Sequence, residues 1–183
     1  MLRYAFFIAL MPGLALACGP AADKTPELQS LVDAARAAPS EAAGRNVAGQ
    51  MWTVLLRAPD AAAQEILDAG LARRDVFDFA GALAAFERLI TYCPDYAEGY
   101  NQRAYVNFLR GNYEAALPDL DRALAREPLH VGAQSGRALT LMELGRRAEA
   151  RDQMLAAVEN NPWLSERALL MKGAPLGPLG TDL

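Results

Sequence analysis

From Ala63 to Leu164 the apolar and polar positions repeat with a period of 34 residues, and the segments Ala63–Tyr96, Ala97–His130 and Val131–Leu164 superpose without gaps. Small residues align as Gly70, Ala104 and Ala138, and again as Ala82, Ala116 and Ala150, while a large apolar column holds Phe86, Leu120 and Met154. Small against large at fixed spacing is how two helices approach closely. The pattern predicts helices over 62–74 and 79–91, 97–109 and 113–126, and 131–144 and 148–160. Each period ends at a proline, Pro94, Pro128 or Pro162, which biases the residue before it away from helical geometry.

Two further helices are expected upstream. Thr25-Pro26-Glu27 reads as a helix start with threonine as N-cap, and Leu28, Leu31, Val32 and Ala35 line one face. Pro39 ends that helix, and Ser40 caps a second, 41–57, with Val47, Met51, Trp52, Leu55 and Leu56 at helical spacing. This pair is expected to cap the open face of the first repeat, with Trp52 in the core. Asn112 should cap the helix that follows it. Pro118 lies inside that helix and predicts a kink, since an interior proline costs about 3 kcal/mol unless the helix bends. A solitary helix is expected over 163–172, and 173–183 reads as a flexible tail unless Leu176 and Leu179 lay it on that helix.

The second repeat carries Tyr100, Ala104, Gly111, Asn112, Tyr113, Ala116, Leu120, Ala123 and Pro128, and in these positions the chain resembles the tetratricopeptide repeat family. Arg73 and Gln134 depart from the family pattern. The stretch from Cys93 to Ala104, with Ser135 to Ala138, is also similar to small exported bacterial repeat proteins, a likeness that implies no reaction. The resemblance implies an all-α superhelix of about three helical hairpins over 63–164, with capping helices before and a helix over 165–172 after. Its concave face would take an extended peptide or a partner helix. The positions it turns inward are Gln64, Leu67, Leu71, Arg74, Glu98, Asn101, Tyr105, Phe108, Ser135, Leu139 and Met142, with Tyr105 and Phe108 as anchors. Alternatively, the leader or the tail covers them, because large apolar patches seldom stay bare. The family's clamp of lysines and asparagines for a chaperone's C-terminal carboxylate is absent: Leu67, Leu71, Gln102, Gly132 and Gly136 stand there instead.

Composition changes the picture little. The 183 residues are 52% hydrophobic and carry a net charge of −4, so nothing recommends a nucleic-acid partner. The start does change it. Arg3, the apolar run 4–16 and Ala15-Leu16-Ala17 read as a secretory signal cut before Cys18, which places the mature chain outside the cytoplasm, in a bacterial periplasm. Cys18 could then pair with Cys93 in a disulfide, carry a lipid anchor, or leave Cys93 a buried free thiol.

Candidate chemistry is sparse. Arg103 and Arg137 share one column, and two readings stand: a ladder that holds a partner's carboxylate with Asn101 and Ser135, or heads paired with internal carboxylates. His130, the single histidine, reads as a loop residue at a repeat junction, and Asp119 and Asp121 point to different helix faces. No catalytic residue, metal site or cofactor is expected. The sequence therefore reads as an exported adaptor that binds a protein or peptide, or as an envelope assembly factor acylated on Cys18.

Overall fold

The computed structural model describes residues 18–178, so the leader 1–17 and Leu179 lie outside the described residues. Eight α-helices follow in chain order: α1 Thr25–Ala37, α2 Glu41–Leu55, α3 Ala61–Asp75, α4 Phe79–Tyr92, α5 Ala97–Leu109, α6 Tyr113–Arg126, α7 Val131–Glu143 and α8 Arg147–Asn160. The pairs α3/α4, α5/α6 and α7/α8 are stacked hairpins, and the second helix of each packs on the first of the next, which makes an α–α superhelix.

The aligned columns explain the stacking. Phe86 is fully buried against Gly70, where an added Cβ would stand 2.4 Å from the ring, so no larger residue fits there. Ala104 with Ala116 and Leu120, and Ala138 with Ala150 and Met154, repeat the arrangement in the next two hairpins. Interiors packed this tightly tolerate no change of even one methylene without cost.

Each hairpin turns in the same way. The bonds Asp78 N–H to Arg73 O and Phe77 N–H to Arg74 O recur as Asn112 to Asn107 with Gly111 to Phe108, and as Arg146 to Leu141 with Gly145 to Met142. This double bond pattern closes a helix through one left-handed residue, a place that glycine occupies most easily. Gly111 and Gly145 fill it with φ of 74° and 73°, but in the first hairpin it is filled by Phe77, with φ of 61°.

The N-terminal pair sits elsewhere than expected. It runs across the end of the superhelix where one hairpin passes to the next, and it reaches from the first hairpin to the last. Tyr96 donates its hydroxyl to Leu55 O at 2.9 Å, Met51, Val54 and Leu55 pack with Val131 and Leu129, and Arg36 Nε reaches Glu159 O at 2.8 Å. Trp163 Nε1 donates to Ala35 O at 2.9 Å, and the indole fills the space beside Gly44. The apolar stripe of α1 and α2 thus finds its complement at the loop ends, not on the outer face of α3 and α4. Cys18 is bonded to Cys93, and its N–H donates to Tyr92 O at 3.1 Å, which ties the segment before α1 to the first hairpin.

Docking also strips water from Lys24, whose ammonium donates to Arg57 O at 2.7 Å and Leu55 O at 3.1 Å above the Tyr96 ring. Burial pulls this lysine down from 10.5 to about 8. Between those values the unfolded chain holds a proton that the folded chain has lost, so stability rises with pH across that window. Urea titrations at pH about 8 and about 10 should show that rise, and Lys24→Met should abolish it.

Three other expectations are corrected, those on the caps of α1 and α6 and on the last helix. The N-cap of α1 is Lys24, with no side-chain bond, and Asp23 accepts from Thr25 N–H at 2.9 Å instead. Asn112 makes no side-chain cap to α6. That helix continues through Pro118, which is exposed together with Glu114, so the carbonyl that loses its partner is open to water. The expected last helix is a 3₁₀ segment, Ser165–Leu170, and the chain after it is held: Leu176 is fully buried among Leu141, Met154 and Ala138, and Arg147 and Arg151 donate to Gly177 O and Leu176 O.

Candidate functional site

The first helices of the hairpins, α3, α5 and α7, enclose a groove of about 800 Å³ that opens to solvent. Of the residues expected to face inward, Leu71, Arg74, Asn101, Tyr105, Phe108, Ser135 and Leu139 line it. Four do not. Leu67 is buried in the first hairpin's core, and Met142 packs beside Leu141 and Leu176. Gln64 is turned to accept from Ala58 N–H at 2.9 Å, and Glu98 is buried beneath the floor. The cause is common to Gln64, Leu67 and Glu98: the N-terminal pair and the turn after it cover the first turns of these helices, so only their later turns face the hollow. Helices α1 and α2 with the turn after them thus cover part of the expected surface and leave the rest open.

Trp52 is the residue that helical spacing misplaces. It is 37% exposed, lines the groove from α2 and lies against Gly132, where an added Cβ would meet the ring at 2.3 Å. The wall of the groove therefore carries Trp52, Phe77, Tyr105 and Phe108, two of which were predicted. Arg74 lies 5.6 Å from the centre of the Tyr105 ring, with Nη1 held by Gln102 Oε1 at 2.7 Å and Nε and Nη2 by Asp75.

Beneath the floor lies a polar cluster. Glu98, 1% exposed, accepts from Asn101 Nδ2 at 3.3 Å, Gln102 Nε2 at 2.5 Å and His130 Nε2 at 2.6 Å. His130 is no loop residue: it is fully buried and caps α7, with Nδ1 accepting from Ala133 N–H at 3.2 Å. Because Nδ1 must be unprotonated to accept, this hydrogen bonding assigns the ring proton to Nε2, facing the carboxylate. Trp52 meets the same imidazole edge-on at 6.2 Å. The cluster links groove lining (Arg74, Gln102, Asn101) to the helix start at His130 by a continuous set of hydrogen bonds.

The two aligned arginines are engaged inside the fold. Arg103 makes two bonds to Asp119, at 2.6 and 2.7 Å, and a third to Glu87 on the preceding hairpin. Arg137 bonds Asp121 at 2.7 Å and Gln153 at 3.1 Å. Glu87 and Asp121 are one period apart, as are Asp119 and Gln153, so each arginine clips its own hairpin to the one before it. The reading with internal carboxylates is the one seen, and Asn101 and Ser135 face the groove instead of joining a ladder.

Asp60 lies with the sulfurs of Cys18 and Cys93 in one group within 4.8 Å, but the sulfurs are bonded to each other, which leaves no thiolate to hold a metal. Among the described residues no helix is long and apolar enough to cross a membrane.

The tetratricopeptide repeat profile matches residues 67–120 and 110–162, together just over half of the chain. A TPR repeat-containing protein of Rhizobium etli is 44% identical over 64 residues, which is 35% of this chain and 31% of that protein. The tetratricopeptide repeat protein 36 homolog of Nematostella vectensis is 38% identical over 64 residues, 35% of each chain. DnaJ homolog subfamily C member 3 of Rattus norvegicus is 35% identical over 83 residues, 45% of this chain and 16% of its own. The chain thus spans about a third or less of the curated relatives it matches. With three hairpins stacked at one stride, a small-against-large column at each interface and a matching profile over the same residues, the chain belongs to the tetratricopeptide repeat family.

Proposed function

We propose that this protein is a scaffold that binds a segment of another protein in the groove between α3, α5 and α7. One observation carries the reading: four aromatic side chains converge on a hollow that the described residues leave open, although α1, α2 and Leu176 are packed down elsewhere. A surface of this kind is retained where a partner covers it. Arg74, Asn101 and Ser135 supply polar edges for a peptide backbone.

The finer reading is that it works in the bacterial cell envelope after export. Two features support this, the apolar stretch before Ala15-Leu16-Ala17 and a disulfide that joins the only two cysteines of the chain. A sulfur engaged in that bond cannot also carry an acyl chain, so the mass of the mature protein separates the adaptor from a lipid-anchored factor.

The groove is tested with Tyr105→Ala, which removes a 46% exposed ring that no core cluster needs. Isothermal titration with the partner that co-purifies from the native host should show binding about tenfold or more weaker, at an unchanged melting temperature. Undiminished affinity contradicts the proposal.

A further inference from the structure

Phe77 occupies the position at which the other two hairpins place Gly111 and Gly145, and it adopts the same left-handed backbone. An L-residue with a side chain holds that conformation at a cost that glycine avoids. The phenyl ring returns little to the fold: it is 77% exposed, and its aromatic neighbour is Phe79, edge-on at 5.9 Å. Strain that the surrounding structure does not use is a pointer to function. Phe77 also lies on the groove wall, in the same lining as Tyr105 and Leu109, which are 46% and 43% exposed.

Charge narrows the occupant. The groove is lined by three charged side chains, Arg74, Asp75 and Glu166. Arg74 and Asp75 are bonded to each other, while Glu166 has only the hydroxyl of Ser165, at 2.9 Å, as a side-chain hydrogen-bond partner among the described residues. The charge left over is thus negative, in a chain whose net charge is −4. The complement is a cation beside apolar side chains.

We infer that Phe77 sets what the groove accepts, and that the accepted segment is an extended stretch of a partner protein with a large apolar side chain against Phe77 and a lysine or arginine near Glu166. This rests on the groove reading above. Random short peptides displayed on phage, selected against the full chain, should be enriched in aromatic or aliphatic residues with Lys or Arg and depleted in Asp and Glu. A synthetic peptide of the enriched sequence should bind F77G about tenfold more weakly, although that variant melts about 2–4 °C higher through relief of strain. E166Q should lose the preference for basic residues and keep the apolar one. If Tyr105→Ala abolishes peptide binding but F77G does not weaken it, the groove stands and this inference falls. If Tyr105→Ala leaves binding intact, the groove reading itself falls and takes this one with it. Selection of acidic peptides or of none, or an F77G variant that melts no higher, also overturns it.

Discussion

Replacing Glu98 with alanine lowers the stability of the fold by about 3 kcal/mol or more, since each buried donor left without its acceptor costs about 1–3 kcal/mol. The carboxylate is the acceptor for donors on Asn101, Gln102 and His130, all buried, and the fully buried imidazole of His130 has no other acceptor for its Nε2 proton. A buried donor without an acceptor keeps its full desolvation cost. The damage spreads through named contacts: His130 loses the partner that orients it as the cap of α7, and Gln102 loses one of the bonds that hold its amide for Arg74. Equilibrium urea unfolding of E98A measures the loss. A single-variant loss below about 1 kcal/mol would mean that the cluster contributes no more than an ordinary surface contact.

Opening the disulfide has an effect of similar size by a different route. Cys18 and Cys93 are 75 residues apart, and the loop they close contains α1 to α4. Cross-linking a loop of that length removes unfolded-state entropy worth about 4 kcal/mol. C93A, or the native chain with a thiol reductant, should therefore lose about that much stability in urea while the helix content of the folded state is kept. The groove should remain, since the N-terminal pair is also held by Leu28, Val32 and Met51 and by the Trp163–Ala35 bond. Equal unfolding midpoints for oxidised and reduced protein would contradict this.

Much of the fold was legible in the sequence because a 34-residue repeat states its own helix pairs, and the bounds of α3 to α8 fall within a residue or two of the columns that predicted them. What the period could not state is what lies outside it. Nothing in the spacing of Met51 and Leu55 says that their partners are Leu129 and Val131, or that Trp52 meets His130 and Gly132, roughly 80 residues on, so the expectation set the N-terminal pair on the wrong face and Trp52 in the core. The same displacement hid the covered part of the groove at Gln64, Leu67 and Glu98. His130 reads as a loop residue because proximity to a proline looks like a loop, whereas its role depends on Glu98, 32 residues earlier, across the interface of two hairpins. The left-handed position at Phe77 was legible in principle, since Gly111 and Gly145 stand in its column, but an aromatic there hides the turn that the glycines announce.

The central claim is that the partner lies in the hollow between α3, α5 and α7, and a photoreactive amino acid placed at Tyr105 tests it most directly, with the same probe at Leu155 on α8 as the comparison. Both sites are nearly equally open, 46% and 45% exposed, but only Tyr105 lines the groove. On illumination in the native host, Tyr105 should capture one partner chain that Leu155 does not, and excess of a groove-binding peptide should suppress that product. Capture of the same chain from Leu155 alone, or from both positions with no suppression by the peptide, would place the partner on the outer surface and contradict the account.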